Sequence, residues 1–225
     1  LRTQIAGIID CEVGKHYFPP THSLALARKT ATEAIEQSGI GSRGSFPGPL
    51  FLAVSPAETN WDQRMDVYSG SAGADSQGYD RLLKNVAAGD FAHYYSLYQF
   101  GSIAEHLADE FGTRGVPISL TTACASGATS IQLGVDAIRR GDTDAALCVG
   151  TDGQICEEMV VRFTLLSALS TQNDDPQGAS KPFSKARDGF VMAEGSATLV
   201  LESYESATAR GAEILGVVRG TGERA

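Results

Sequence analysis

Cys124 occupies a position where a thiol can act as a nucleophile. It follows the β-prone run Ile118–Thr121, lies among small residues, and precedes a helical pattern that begins at about Ser126. This spacing predicts a thiol at a strand-to-helix turn, where the positive end of the helix dipole lowers a cysteine pKa and favours the thiolate. The backbone N–H of Cys124 would be free there to bind an oxyanion. A cysteine among small residues is more often a packing residue, but this position favours covalent acyl transfer.

The other cysteines and the histidines give no metal or disulfide pattern. Cys11, Cys148 and Cys156 lie far apart, without CxxC pairs or zinc-type histidine spacing. Cys148 lies in an apolar run and is predicted to be a buried packing residue. All four histidines precede Cys124 and are interpreted as surface or core residues: His16, His22, His93 and His106. We therefore expect no metal and no redox cofactor.

The positions that flank Cys124 belong to a regular alternation of strands and helices. Apolar residues at helical spacing predict helices at Thr21–Ser38, Asp80–Ala88, Ser102–Phe111, Ser126–Arg140, Glu157–Leu169 and Tyr204–Arg210. Apolar runs predict strands at Leu50–Val54, Val116–Thr121, Asp144–Gly150, Gly195–Glu202 and Ile214–Gly220. Ser102 and Glu105 have the spacing of a capping box. The helix after Cys124 is largely apolar and is expected to be buried in the centre of one layered α/β domain without an internal boundary.

Composition excludes several classes of function. The 225 residues carry 18 basic and 27 acidic side chains, a net charge of −9, which argues against general nucleic-acid or anionic-membrane binding. No apolar run approaches the roughly 20 residues of a membrane span, and no signal peptide opens the chain. We expect a cytoplasmic protein. Arg81 and Lys84 could form a basic contact for an acidic partner, although a solvated helix face is the commoner meaning of such a pair.

Two stretches carry a family resemblance. Residues 121–152, TTACASGATSIQLGVDAIRRGDTDAALCVGTD, resemble the nucleophile region of β-ketoacyl synthases, the condensing enzymes of fatty acid and polyketide synthesis. Residues 166–202 are similar to a second stretch of that family, and the spacing between the two stretches agrees. The string CASG also surrounds the nucleophile of thiolases, but KPFSKARDGFVMAEG at residues 181–195 favours the synthases.

This resemblance implies a thiolase-like layered α-β-α-β-α fold, of which the chain is the N-terminal half. Residues 1–225 would be a β-ketoacyl synthase N-terminal domain that lacks its first strand and the C-terminal half. Cys124 matches the catalytic acyl acceptor, and its backbone N–H matches one oxyanion donor. Phe163 resembles an acyl-pocket residue, and a core aromatic on a helix is an equally open alternative. The segment from Arg187 to Phe190, and Glu194, match a signature that we interpret as structural.

The implied activity is that of a condensing acyltransferase. Cys124 would accept an acyl group from acyl-carrier protein, and the acyl-enzyme would undergo decarboxylative Claisen condensation with malonyl-carrier protein. Two histidines and a lysine from the C-terminal half would be needed. The phosphopantetheine belongs to the carrier, so no cofactor of this chain is expected. The resemblance also implies a homodimer that pairs the sheets of two copies. A thiolase-type enzyme acting on acyl-CoA and a non-catalytic partner subunit of the same fold remain alternatives.

Overall fold

The computed structural model describes residues 1–9 and 19–222, apart from the side chain of Leu97. The chain divides into two compact units, each assembled from separate stretches. Of the described residues, the helical unit contains 1–9, 19–20, 57–99 and 153–194, and the sheet unit contains 21–56, 100–152 and 195–222. Cys124 belongs to the sheet unit.

The sheet unit is built on a four-stranded mixed sheet. Its strands are β1 (Leu50–Val54), β2 (Ile118–Leu120), β3 (Ala145–Asp152) and β4 (Gly195–Glu202). Their order is β2-β1-β3-β4; β2 and β3 run parallel to β1, and β4 runs antiparallel to β3. The apolar runs of β1 and β3 are explained by this order, because both strands are central and buried.

Helices cover both faces of this sheet. On one face, α1 (Pro19–Ser38) and α5 (Ser102–Phe111) share a buried core with β1 and β3. On the other face, α6 (Ser126–Arg139) packs over the side chains of Phe51, Ala146 and Cys148. The short helix α8 (Tyr204–Ala209) follows β4. α1 begins at Pro19, two residues before the predicted start, because proline is compatible with the first helical turn.

Gly134 lies where α6 packs closely against the sheet. A Cβ atom placed on Gly134 would lie 2.6 Å from Sγ of Cys148. Cys148 is 2% exposed, and its burial raises the pKa of the thiol to about 12. The predicted packing role of Cys148 is therefore confirmed.

The helical unit is composed of short helices and ordered loops. Its elements are α2 (Trp61–Ser69), α3 (Gly78–Ala87), a 3-10 turn at Ala92–Tyr94, α4 (Tyr95–Tyr98) and α7 (Glu157–Leu165). Buried Asn85 holds α2 and α3 together, since its Oδ1 accepts from the backbone N–H of Gly73 at 2.6 Å and its Nδ2 donates to the carbonyl of Val67 at 2.7 Å. Arg162 of α7 donates both terminal nitrogens to the carboxylate of Glu58, each at 2.6 Å.

Two local predictions are wrong. Residues 214–220 form no strand, because within residues 1–9 and 19–222 no strand pairs with them. Ser102 does not cap α5: Gly101 is the N-cap residue and supplies no side-chain hydrogen bond. A capping box instead opens α2, where Asn60 and Gln63 bond reciprocally at 3.0 Å.

The predicted end of α7 at Leu169 is also too late. The helix ends at Leu165, and Ser167 has a φ of +53°, which no α-helical residue adopts. None of the helices in the described part of the chain combines the length and apolar character that a bilayer crossing requires.

Candidate active site around Cys124

Cys124 lies in the turn between β2 and α6, and its side chain is exposed. β2 ends at Leu120 and α6 begins at Ser126, so the thiol stands just before the first turn of the helix. The parallel strands place this turn at the carboxyl edge of the sheet, where ligands of open α/β sheets bind. A reactant can therefore reach the sulfur.

The turn is held in an unusual conformation. Ala123, directly before the cysteine, has a φ of +52°, in the left-handed region that residues with a Cβ rarely adopt. Ser126 fixes this geometry, because its Oγ accepts from the backbone N–H of Thr122 at 2.8 Å and donates to the carbonyl of Ala123 at 2.7 Å. The hydroxyls of Thr122 and Thr129 share a further hydrogen bond of 2.9 Å. Strain of this kind persists only where the surroundings over-determine it, and it concentrates at functional sites.

Backbone donors are available beside the thiol. Within the described residues, the N–H of Cys124 donates to no acceptor. The first N–H groups of α6 have no partner inside the helix, as at any helix N-terminus. An unpaired N–H next to a nucleophile is the arrangement that binds the oxygen of a tetrahedral intermediate.

The predicted burial of α6 holds for one face only. Gly134 and Ala137 are buried against the sheet, whereas Gly127 and Ala128 are exposed. The expected burial of α6 in the domain centre is therefore only partly met: four of its residues are buried, and its first turn is largely exposed. The packed face keeps the N-terminus of α6, and hence the turn at Cys124, on a rigid element.

Phe163 lies on α7 in the helical unit and is described there by itself. Its ring meets that of Phe190 edge to face, with centroids 5.4 Å apart and planes at 80°. This edge-to-face contact is a packing interaction between the two aromatic side chains. The pocket role of Phe163 stays a prediction.

Asp188 organises the loop that follows α7. Its carboxylate accepts from the hydroxyl of Ser170 at 2.8 Å and from the backbone N–H of Thr171 at 3.0 Å. The bond from Ser170, followed by that from Thr171, holds the pKa of Asp188 below its usual range. Gly189 has a φ of +147°, and a Cβ there would lie 2.4 Å from the carbonyl carbon of Leu169.

These contacts support the structural interpretation of the signature. Arg187 does not pair with Asp188 in the described part of the chain; it donates to the carbonyl of Ser184 at 2.7 Å. Glu194 accepts from the backbone N–H of Ile9 at 3.0 Å.

The helical unit also contains an open cavity of about 1100 Å³ that sequence reasoning did not find. Cys156 and the carboxylates of Asp62, Asp66 and Glu157 are among the residues that line it. Burial raises the pKa of the Cys156 thiol, which disfavours a thiolate there. No group of three metal-ligating side chains occurs in residues 1–9 and 19–222. Cys11 and His16 lie outside the described residues.

Residues 21–207 match the family described as "Beta-ketoacyl synthase, N-terminal domain". The chain is 34% identical over 239 aligned residues to "Tetracenomycin polyketide synthase ketoacyl synthase alpha subunit" of Streptomyces glaucescens, an alignment that covers 99% of this chain and 53% of that protein. It is 44% identical over 113 residues to "3-oxoacyl-[acyl-carrier-protein] synthase 2" of Staphylococcus aureus, covering 50% of this chain and 28% of that one.

Solved structures of ketosynthases share the fold. One contains a "type II PKS acyl-carrier protein in complex with its ketosynthase", with a TM-score of 0.70, 25% identity, and coverage of 94% of this chain and 50% of that chain. Another is a β-ketoacyl synthase from Burkholderia phymatum STM815, with a TM-score of 0.66, 25% identity, and coverage of 95% and 51%. The predicted thiolase-like α/β fold is confirmed. The chain spans about half the length of the Streptomyces relative and of each of these structures.

Proposed function

Because the chain belongs to the β-ketoacyl synthase family, we propose that Cys124 is the acyl-accepting nucleophile of a condensing acyltransferase of fatty acid or polyketide synthesis. The observation that carries this proposal is the exposed thiol at a fixed strand-to-helix turn, beside an unpaired backbone N–H. Relatives named for both pathways support the class of reaction.

The first step is acyl transfer to sulfur. The Cys124 thiolate attacks the carbonyl carbon of a carrier-bound thioester, and the backbone N–H of Cys124 stabilises the oxyanion of the tetrahedral intermediate. Collapse of the intermediate breaks the bond to the carrier's phosphopantetheine sulfur, which leaves as a thiolate and takes up a proton. The acyl group then remains on Cys124.

The second step forms the new carbon–carbon bond. A malonyl thioester loses CO₂, and the resulting carbanion attacks the carbonyl carbon of acyl-Cys124. The C–S bond to Cys124 breaks, the thiolate is regenerated, and a β-ketoacyl thioester remains on the carrier. The family resemblance assigns proton handling in this step to two histidines and a lysine of a C-terminal half. Phosphopantetheine arrives on the carrier, so the proposal includes no resident cofactor.

Further parts of the proposal concern the pocket and the partners. Phe163 would line the acyl pocket, and acyl-carrier and malonyl-carrier proteins would be the substrates. The solved ketosynthase–carrier complex supports a carrier as partner. A homodimer would form through β2, whose Ile118 is 44% exposed and which lies at one edge of the sheet among the described strands. The proposed location is the cytoplasm.

The test is covalent labelling of the full-length protein. We expect incubation with an acyl-carrier thioester to add one acyl mass to the peptide that contains Cys124, as measured by mass spectrometry. Cys124→Ala should abolish the adduct, and the matched control Cys156→Ala should retain it. An adduct on Cys156, or none in the native protein, contradicts the proposal. Condensation with CoA thioesters alone would favour the thiolase-type alternative.

A further inference from the structure

The peptide group that joins Ala123 to Cys124 determines where the proposed oxyanion donor points. Its N–H is that of Cys124, and its carbonyl oxygen is that of Ala123. A trans peptide group is planar, so its N–H and its carbonyl point in fixed and opposite directions. A contact that holds the carbonyl of Ala123 therefore also sets the direction of the Cys124 N–H.

Ser126 holds this carbonyl with two donors. Its backbone N–H donates to the carbonyl oxygen of Ala123 at 3.1 Å, and its hydroxyl donates to the same oxygen at 2.7 Å. The hydroxyl also accepts from the backbone N–H of Thr122 at 2.8 Å. Both backbone torsions of Ala123 lie between the two groups that the hydroxyl bonds. A rotation about either torsion would therefore break one of these two hydrogen bonds.

Ala123 needs such a restraint because its φ of +52° is unfavourable for a residue with a Cβ. Without the hydroxyl, the right-handed and extended regions would be more favourable, and a change to either would turn the peptide group that follows Ala123. The N–H of Cys124, which donates to no acceptor in the described part of the chain, would turn with it. The restraint consists of hydrogen bonds within the turn itself, so it does not depend on what covers the site.

We propose that the hydroxyl of Ser126 is a positioning group for the acyl transfer to Cys124. It keeps Ala123 in the left-handed conformation and thereby aims the N–H of Cys124 at the oxygen that becomes negative when the thiolate attacks a thioester. Ser126 acts through the backbone and does not touch the reacting atoms. The inference rests on the proposed function. It predicts slower chemistry at an unchanged affinity for the acyl donor, because the oxyanion exists only during the reaction.

The test measures two reactions of Cys124 in the full-length protein by mass spectrometry. Acylation by an acyl-carrier thioester passes through an oxyanion, whereas alkylation by iodoacetamide displaces iodide from a saturated carbon and forms none. We expect Ser126→Ala to lower the maximal rate of acylation about 10- to 100-fold, because a misdirected N–H stabilises the oxyanion poorly. The donor concentration at half-maximal rate should not change. The rate of alkylation and its dependence on pH should also remain those of the native protein.

Two further variants test whether the hydroxyl acts through Ala123. Ser126→Thr retains a hydroxyl on Cβ and should restore most of the acylation rate. Ala123→Gly removes the Cβ that makes the left-handed φ unfavourable. Ser126→Ala should therefore slow acylation less in the Ala123→Gly background than in the native one, and an equal loss in both backgrounds would contradict an action through Ala123.

Ser130 supplies the matched control on the same helix. Its hydroxyl donates to the carbonyl of Gly127 at 2.8 Å, three residues earlier in the chain, just as that of Ser126 donates to Ala123. This bond lies inside α6 and not in the turn. Ser130→Ala should therefore change neither acylation nor alkylation of Cys124.

The outcomes separate the inference from the proposed function. The inference is overturned if Ser126→Ala is acylated at the native rate, or if the loss appears as a weaker affinity for the donor. It is also overturned if acylation and alkylation slow equally, because the hydroxyl would then only support the fold of the turn. If the native protein is alkylated at Cys124 but never acylated, the proposed function fails, and the inference fails with it.

Discussion

Replacing Gly134 by alanine should destabilise the protein, although alanine is the better helix former. The substitution gains about 1 kcal/mol of helix propensity. The new Cβ, however, would lie 2.6 Å from Sγ of Cys148, 3.0 Å from Cδ1 of Leu201 and 3.3 Å from Cβ of Ala146. A Cβ essentially never approaches another heavy atom to 2.6 Å, so α6 must move off the sheet or β3 must yield. Overpacking of this kind costs about 1–3 kcal/mol, so the net loss is about 0–2 kcal/mol.

Gly127 supplies the matched control on the same helix. A Cβ placed there has no neighbour within 4 Å, so Gly127→Ala gains propensity without a clash and should stabilise by up to about 1 kcal/mol. Cys148→Ala removes the sulfur that the new methyl group meets. The combination Gly134→Ala with Cys148→Ala should therefore lose less stability than the two single changes added together.

Urea unfolding measures these differences as shifts of the midpoint at constant m. The reasoning is refuted if Gly134→Ala is as stable as Gly127→Ala. It is also refuted if Gly134→Ala and Cys148→Ala are strictly additive, because the clash with sulfur would then not be the cause.

Three further expectations follow from the contacts. Asp188→Asn should lower stability near neutral pH, because hydrogen bonds from Ser170 and Thr171 hold the folded-state pKa of Asp188 below its usual 3.8. This stabilisation is complete above pH 3.8 and is lost as pH falls through the folded-state pKa. A deficit in urea unfolding that does not shrink as the pH is lowered below 3.8 would contradict it. Glu202→Gln should lower the free energy of unfolding by about 1–3 kcal/mol in urea, since the Glu202 side chain is 8% exposed and paired with Arg210. Arg140→Gln, which breaks the exposed pair with Asp142, should lower it by under about 1 kcal/mol. Equal losses would refute the role of burial. Iodoacetamide should alkylate native Cys124 and spare Cys148 until the protein unfolds, and peptide mapping that finds early modification of Cys148 would show that β3 is open.

The helices and strands that were predicted correctly are those whose position follows from the pattern of apolar residues within the segment itself. The spacing of apolar residues predicts α1, β1 and α6, because the apolar residues of each element are the ones it buries in the core. The position of Cys124 followed in the same way, since a strand pattern and a helix pattern meet there. The left-handed φ of Ala123 could not be foreseen. It is held by the hydroxyl of Ser126, which accepts from the backbone N–H of Thr122 and donates to the carbonyl of Ala123, and residue spacing does not reveal these contacts.

The failures involve elements that depend on partners. The apolar run at residues 214–220 has strand composition, but a strand also needs a neighbour, and composition does not supply one. α2 was missed because its apolar residues are few, although the pattern of Asn60 followed by Gln63 is a capping-box signal that could have located its start. The close approach at Gly134 is a property of packing between α6 and β3 and is invisible in either segment alone.

The interleaving of the two units has a consequence for synthesis on the ribosome. β3 ends at Asp152, but its antiparallel neighbour β4 begins only at Gly195, after residues 153–194 have been made for the helical unit. At a translation rate of about 5–20 residues per second, the edge of β3 that pairs with β4 stays unpaired for roughly two to eight seconds during synthesis. Codon usage or chaperone binding across residues 153–194 should therefore influence the yield of folded protein more than comparable changes within α1.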